Sequence, residues 1–278
     1  MEHKEGTLKG KNGLNLYWQA WLPPAAPKAV LVVVHGLAEH SGRYGNPVQY
    51  FVPKGYAIYS FDLRGHGKSE GVRCYVDRFS DYLDDVRIFH DMVRGIYPGA
   101  KLFLLGHSVG GTIATAYAAQ YQAELAGLIL SAPALKPGAS ITGLQVMMAR
   151  VLSALLPKMG VASLDSSGVS RDRAVVEAYD NDPLVYRGKV TARLGAELIR
   201  VMEKDLPAKM PGLELPLLVM YGSEDRLANP VGSELVYRLA KSKDKTLKRY
   251  EGFYHEIFND PERGRVFADM ETWLAAHL

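Results

Sequence analysis

Cysteine is nearly absent from this chain of 278 residues. With Cys74 alone, no internal disulfide can form, and nothing points to an oxidising compartment. No thiol-activating pattern surrounds Cys74, so it reads as a small buried apolar side chain. Long hydrophobic runs are missing too: none approaches the ~18 residues of a membrane span. The opening Met1-Glu2-His3-Lys4-Glu5-Gly6 is charged and leads into no apolar stretch, so no secretory signal is expected. Charge of one sign is not in excess either. Lys and Arg number 33 against 30 Asp and Glu, and the basic residues are scattered, which argues against a nucleic-acid partner. The glycine-rich loop Asp62-Leu63-Arg64-Gly65-His66-Gly67-Lys68-Ser69 lacks the Gly-x-Gly-x-x-Gly spacing of a dinucleotide cradle. Arg64 and Asp62 are expected instead to tie that loop down. His255-Glu256 does not begin a zinc motif, because Asn259 stands where a second histidine is required. No metal and no cofactor are expected, and the chain is expected to be cytoplasmic, with peripheral membrane contact left open.

What the sequence does contain is organised around Lys101–Gly111. A short apolar strand, Leu102 to Leu105, runs into Gly106-His107-Ser108-Val109-Gly110, and a small-residue helix follows from Thr112. A chain that turns from strand to helix so abruptly strains the corner residue, and glycines at 106 and 110 omit the Cβ atoms that would clash. Ser108 is left at the tip, beside the positive end of the helix dipole. Strand, Gly-x-Ser-x-Gly and helix together form the nucleophile elbow of α/β-hydrolases.

The surrounding pattern fits a mostly parallel sheet. Ala29–Val34, Ala57–Phe61, Leu102–Leu105, Gly127–Pro133 and Pro216–Gly222 are apolar runs of strand length, the mark of strands buried on both faces. Helical periodicity separates them, over Pro47–Lys54 and, with Leu83, Val86, Phe89, Val93 and Ile96, over Ser80–Tyr97. The acids of that second helix read as a solvated face and as first-turn partners of the dipole. Residues 5 to 22 alternate polar and apolar and predict a hairpin at the sheet edge. This α/β reading, a central sheet with helices on both faces, is interrupted between Leu135 and Leu206, where no strand is evident. Residues 1–134 and 207–278 are therefore taken as the core, and 135–206 as a helical cap inserted over the C-terminal sheet edge, where such folds bind ligands. Within the cap, Ile141–Leu156 shows a narrow stripe of Thr142, Gln145, Ala149 and Ser153 against a wide apolar arc that includes Met147 and Met148. That arc either packs on the body or faces an acyl channel or a lipid surface.

An acid and a histidine in the right chain order complete the chemistry. Serine is a poor nucleophile unless a base accepts its proton, and imidazole changes charge near neutrality. His255 follows the last strand and is the candidate base. Asp225 follows Pro216–Gly222 and would orient it; Glu224 is the rival, with a longer side chain in a less suitable place. His35 and His107 adjoin strand ends and read as structural. His35-Gly36 ends a buried strand, where these folds place half of an oxyanion hole, so the backbone N–H groups of Leu37 and Val109 are the candidate donors.

Four stretches together resemble the monoacylglycerol lipase family: His35-Gly36 with Glu39-His40-Ser41-Gly42-Arg43-Tyr44, the loop Asp62–Ser69, the elbow Gly106–Gly111, and Leu239–Lys248. The likeness extends through most of the chain. It implies cofactor-free cleavage of an ester joining one fatty acyl chain to glycerol, beneath an amphipathic cap, with Glu39 and Arg43 by the polar end of the pocket. Ala228 and Phe258 depart from the mammalian members, which have cysteine and histidine at these places. A broader carboxylesterase or lysophospholipase is the alternative within this chemistry; a receptor that uses the scaffold without turnover is the alternative outside it. Oligomeric state and acyl-chain preference are not legible.

Overall fold

The protein is described here by a computed structural model that covers residues 1–138 and 143–278. Among these residues the strands are β1 (Glu2–Lys9), β2 (Asn15–Leu22), β3 (Ala29–Val34), β4 (Tyr56–Phe61), β5 (Leu102–His107), β6 (Gly127–Ser131), β7 (Gly160–Ala162), β8 (Val190–Thr191), β9 (Leu217–Gly222) and β10 (Lys245–Tyr250). The α-helices are α1 (Gly45–Phe51), α2 (Ser80–Ile96), α3 (Val109–Tyr121), α4 (Gly143–Leu155), α5 (Arg173–Asn181), α6 (Ala192–Arg200), α7 (Leu206–Lys209), α8 (Val231–Leu239) and α9 (Arg263–Ala276).

One sheet runs in the order β1-β2-β4-β3-β5-β6-β9-β10. The β1–β2 hairpin enters antiparallel, as alternation predicts, and every pairing from β4 to β10 is parallel. Strands β3, β4, β5, β6 and β9 are buried throughout because helices cover both faces. Successive side chains alternate between two cores. Val30, Val32 and Val34 pack with Val86 and Phe89 of α2 and Ile113 of α3. Leu31 and Val33 pack with Phe51 of α1 and with Phe267 and Met270 of α9. After β3 the chain builds β4 on one side and later β5 on the other. That reversal opens a crevice at the C-terminal ends of β3 and β5, where this architecture binds ligands.

The helix expected over Pro47–Lys54 begins earlier, as α1, and tightens to a 3₁₀ turn at Val52–Lys54. Gly55 ends it with φ +92°, and its N–H returns to the Val52 carbonyl.

Three expectations need correction. The acids of α2 are not all solvated: Asp85 is fully buried and takes a two-pronged bond from Arg64, at 2.7 and 2.8 Å. Arg64 thus fastens the 62–69 loop to α2, and Asp62 holds the same region by accepting from the Ser41 and Lys68 N–H groups. Residues 135–206 also contain strands, since β7 and β8 pair antiparallel as a two-stranded ribbon too short to show a period. Finally, Asp180-Asn181-Asp182-Pro183 reads as a turn in the sequence, but α5 continues through Asn181, so the turn begins only after it.

In α4 Ser153 is buried and Ala149 half-buried, while Met147, Met148, Val151 and Leu155 are exposed. The helix packs closely on α6. Ile141, Thr142 and the side chain of Gln145 lie outside the described residues.

Candidate active site

The turn between β5 and α3 places Ser108 at φ +54° and ψ −123°, a strained conformation for a residue with a Cβ. Its neighbours make that turn feasible. A Cβ on Gly110 would collide with the carbonyl oxygens of Val34 and His35, and one on Gly106 with the Gly110 carbonyl. The elbow therefore sits hard against the end of β3. The Ser108 carbonyl starts the helix by accepting from Gly111 N–H at 2.9 Å.

Asp225 and His255 come together from the loops after β9 and β10. Gly222 allows it, since a Cβ there would strike the Phe253 and Tyr254 carbonyls of the histidine loop. Asp225 Oδ1 accepts from the N–H groups of Leu227 and Ala228 at 2.8 and 2.9 Å, and Oδ2 lies 2.7 Å from His255 Nδ1. A carboxylate only accepts, so Nδ1 bears the proton and Nε2 presents a lone pair. Both side chains are buried. Burial disfavours the imidazolium, but the charge and hydrogen bond of Asp225, with Glu256 and Glu39 beyond, outweigh it and raise the His255 pKa above the ordinary 6.5. Glu224 is exposed.

The other two histidines singled out are structural, as expected. His35 Nε2 accepts from Leu63 N–H at 2.8 Å while Nδ1 donates to the Gly36 carbonyl at 2.7 Å. His107 Nδ1 donates to the Ser131 carbonyl at 3.0 Å, and its ring lies 4.7 Å from that of His255. Burial holds both well below the usual imidazole range, and His255 adds to the effect at His107. A neutral His107 can thus sit beside His255 without repelling its charged form.

Ser108, Val109, Gly36, Leu37, Glu39 and His255 line one end of a cavity of about 670 Å³. Residues of α4, β8, α6 and the turn after it form the other end, among them Leu152, Val190, Leu198, Ile199 and Met202. Met148 and Met159 also line it although they are about half exposed, so the cavity reaches the surface beside α4 and β7.

The polar end is built more elaborately than the sequence indicates. Arg43 does not line the cavity. Its guanidinium donates to both oxygens of Glu256 at 2.8 and 2.7 Å and lies 4.6 Å over the Tyr179 ring, with Nε 3.5 Å from Glu39. Glu39 and Glu256 face the cavity in front of it. Burial and then the charge of Glu256 push the Glu39 carboxyl up to about 7, against the pull of Arg43 and the Gly36 N–H. Glu256 and Tyr179 escaped the sequence reading. An acid directly after the candidate base was the available signal for the first, and nothing marked the second. Phe258 is buried on Phe267, 5.8 Å between rings.

Among the described residues, His90, Asp91 and Glu124 bring metal-ligand types together. Arg87 already binds both carboxylates, at 2.9 and 2.6 Å.

The family model for serine aminopeptidase, S33 (Hydrolase_4), matches residues 25–262. A monoacylglycerol lipase of Mycolicibacterium smegmatis is 38% identical over 274 residues, 99% of this chain and 98% of the relative. The monoglyceride lipase of Homo sapiens is 37% identical over 96% of this chain and 89% of its own. Among solved structures, Paleococcus ferrophilus monoacylglycerol lipase superposes with a TM-score of 0.85 at 32% identity, covering 95% of this chain and 99% of that one. With these matches along nearly its whole length, the chain belongs to the serine aminopeptidase S33 (Hydrolase_4) family of α/β-hydrolases, among the monoacylglycerol lipases.

Proposed function

We propose that the chain is a carboxylic ester hydrolase that cleaves monoacylglycerols to a free fatty acid and glycerol through an acyl-enzyme on Ser108. One observation supports this most strongly: the cavity is apolar at its cap end and places Ser108 and His255 on its wall at the polar end. That shape suits one acyl chain with a small neutral alcohol.

In this reading His255 Nε2 accepts the Ser108 hydroxyl proton as Oγ attacks the ester carbonyl. Asp225 keeps the proton on Nδ1 and stabilises the imidazolium. The N–H groups of Leu37 and Val109 take the developing oxyanion. Collapse breaks the ester C–O bond, and His255 returns its proton to glycerol. Water, deprotonated by the same imidazole, then releases the fatty acid and regenerates Ser108.

Residues 135–206 serve as the cap over this chemistry. Glu39, with Arg43 behind it, belongs to the end that meets the glycerol hydroxyls. The exposed Met147, Met148, Val151, Leu155 and Leu156 give the cap an apolar outer face suited to transient contact with a lipid surface. No described helix is long and apolar enough to cross a membrane. A cytoplasmic location with such contact belongs to the same proposal.

The test is a hydrolysis profile over monoacylglycerols, diacylglycerols, lysophospholipids and p-nitrophenyl esters of graded chain length. Monoacylglycerols should give the highest kcat/KM. A strong preference for lysophospholipids would overturn the substrate while keeping the mechanism. Failure of an organophosphonate to label Ser108 would overturn the enzyme reading and favour a ligand receptor.

A further inference from the structure

The turn from His35 to His40 presents Leu37 to the cavity, and its backbone is not one that chains adopt freely. Ala38 has φ +67°, a left-handed conformation unfavourable for a residue with a Cβ. Gly36 is wedged between the elbow and a carboxylate: a Cβ there would lie 3.0 Å from Ser108 Cβ and 2.9 Å from Glu39 Oε1. Such a turn persists only if surrounding contacts hold it. On its outer side the cap contributes one, from Tyr186 N–H to the Ala38 carbonyl at 2.8 Å. On its inner side stands Glu39, 4% exposed, whose Oε1 accepts the Gly36 N–H at 2.6 Å and the Tyr44 hydroxyl at 3.0 Å.

We infer that Glu39 is a positioning residue of the oxyanion hole: by fixing the Gly36 N–H against Tyr44, it aims the next N–H along the chain, that of Leu37, at the substrate oxygen. The inference rests on the proposed role of Leu37. The Gly36–Leu37 peptide is one unit beyond the anchored one, and the intervening residue is glycine, whose backbone torsions are the softest available. His35 Nδ1 holds the carbonyl of that peptide at 2.7 Å. Without the second restraint, from Glu39, the peptide pivots about this one bond, and its N–H loses its aim. Both carboxylate oxygens already face protein groups, Oε1 with its two donors and Oε2 with Arg43 at 3.5 Å. An oxyanion donor serves every ester, whatever its leaving group. A residue that binds glycerol serves only glycerides. The two roles can therefore be told apart.

The experiment measures kcat and KM of the full chain and its Glu39→Asp and Glu39→Gln variants on a monoacylglycerol and on the p-nitrophenyl ester of the same acid, with thermal melting as the check on folding. Aspartate keeps the charge but stops one methylene short of Gly36. Its kcat should fall about 100-fold on both substrates with KM changed less than about threefold, as for a misaimed oxyanion donor. Glutamine keeps an acceptor oxygen in place and should recover both rates to within about tenfold of the parent. The inference is overturned if either variant loses activity on the glyceride alone, or if the aspartate variant hydrolyses the p-nitrophenyl ester at the parental rate. A folded glutamine variant that loses more than about 100-fold on both substrates also overturns it, because the acceptor is retained. Should the aspartate variant not fold, the glutamine variant decides by these same limits. A parent chain active on the p-nitrophenyl ester but not on the glyceride would sink the substrate assignment, and Glu39 would still be judged on the p-nitrophenyl arm.

Discussion

His40 Nε2 lies 2.9 Å from Asp182 Oδ2, joining the turn after β3 to the residue that ends α5. Asp182 Oδ1 also accepts from Leu184 N–H at 2.8 Å, so one carboxylate both fastens residues 182–184 and ties them to the core. His40 and the Leu184 N–H hold its pKa below the ordinary carboxylate value, although burial pulls the other way. This link therefore contributes stability above the unfolded-state carboxylate pKa and loses it as the pH falls through the lower folded value. Asp182→Ala should cost about 1–2 kcal/mol in denaturant unfolding near neutrality, and less in acid. An unchanged midpoint at neutral pH would show that the bond adds nothing to the fold.

The pH dependence of hydrolysis should reflect the surroundings of His255. Only the neutral imidazole can accept the serine proton, so kcat/KM must fall as the pH drops through its pKa. That pKa is raised above 6.5, so the acid limb should have its midpoint above that value. Glu39 is among the groups that raise it, to the extent that a carboxyl pushed up to about 7 is ionised over that range. Glu39→Gln removes that charge and should shift the midpoint downward. A midpoint that stays put or moves up would contradict the electrostatics described for the site.

Ser108 should be dispensable for folding and indispensable for turnover. Ser108→Ala is expected to lower kcat roughly 10⁶-fold, as when one member of a cooperating group is lost. Ser108→Gly should be as inactive but melt higher than the alanine variant, because glycine relieves the strain of φ +54° and contributes about 1 kcal/mol. Equal melting temperatures would mean that the elbow stores no such strain.

The Arg64–Asp85 pair should matter for stability alone. Arg64→Leu leaves a carboxylate at 0% exposure with, among the described residues, only the Lys11 N–H for a partner. Removing one member of a buried pair costs about 3–5 kcal/mol. Equilibrium unfolding should show that loss, and what folded enzyme remains should keep its kcat. A fall in kcat with stability intact would place the 62–69 loop within the catalytic machinery instead.

Several features were legible before any coordinates because they depend on neighbours in the chain. Apolar runs of strand length announce β3, β4 and β9; the glycines at 106 and 110 announce the elbow; and an acid and a histidine after the late strands announce the pair that proves to lie 2.7 Å apart. The buried state of Asp85 was not legible, since a helix acid looks solvated until Arg64 arrives from a separate loop. Nor was the orientation of α4, because its wide apolar arc fits packing on the body as well as an acyl channel or a lipid surface, and only the fold leaves Met147, Val151 and Leu155 exposed with Ser153 buried.

Local sequence thus determined the strand order along the chain, the elbow at Ser108 and the residue types that can perform ester hydrolysis, since steric strain and periodicity act over a few residues. Tertiary structure decided which charges are buried together. Arg43 turns to Glu256 rather than to the cavity, and Glu39 turns back to Gly36. Such choices depend on desolvation and on partners up to 213 positions away, and no local pattern encodes them.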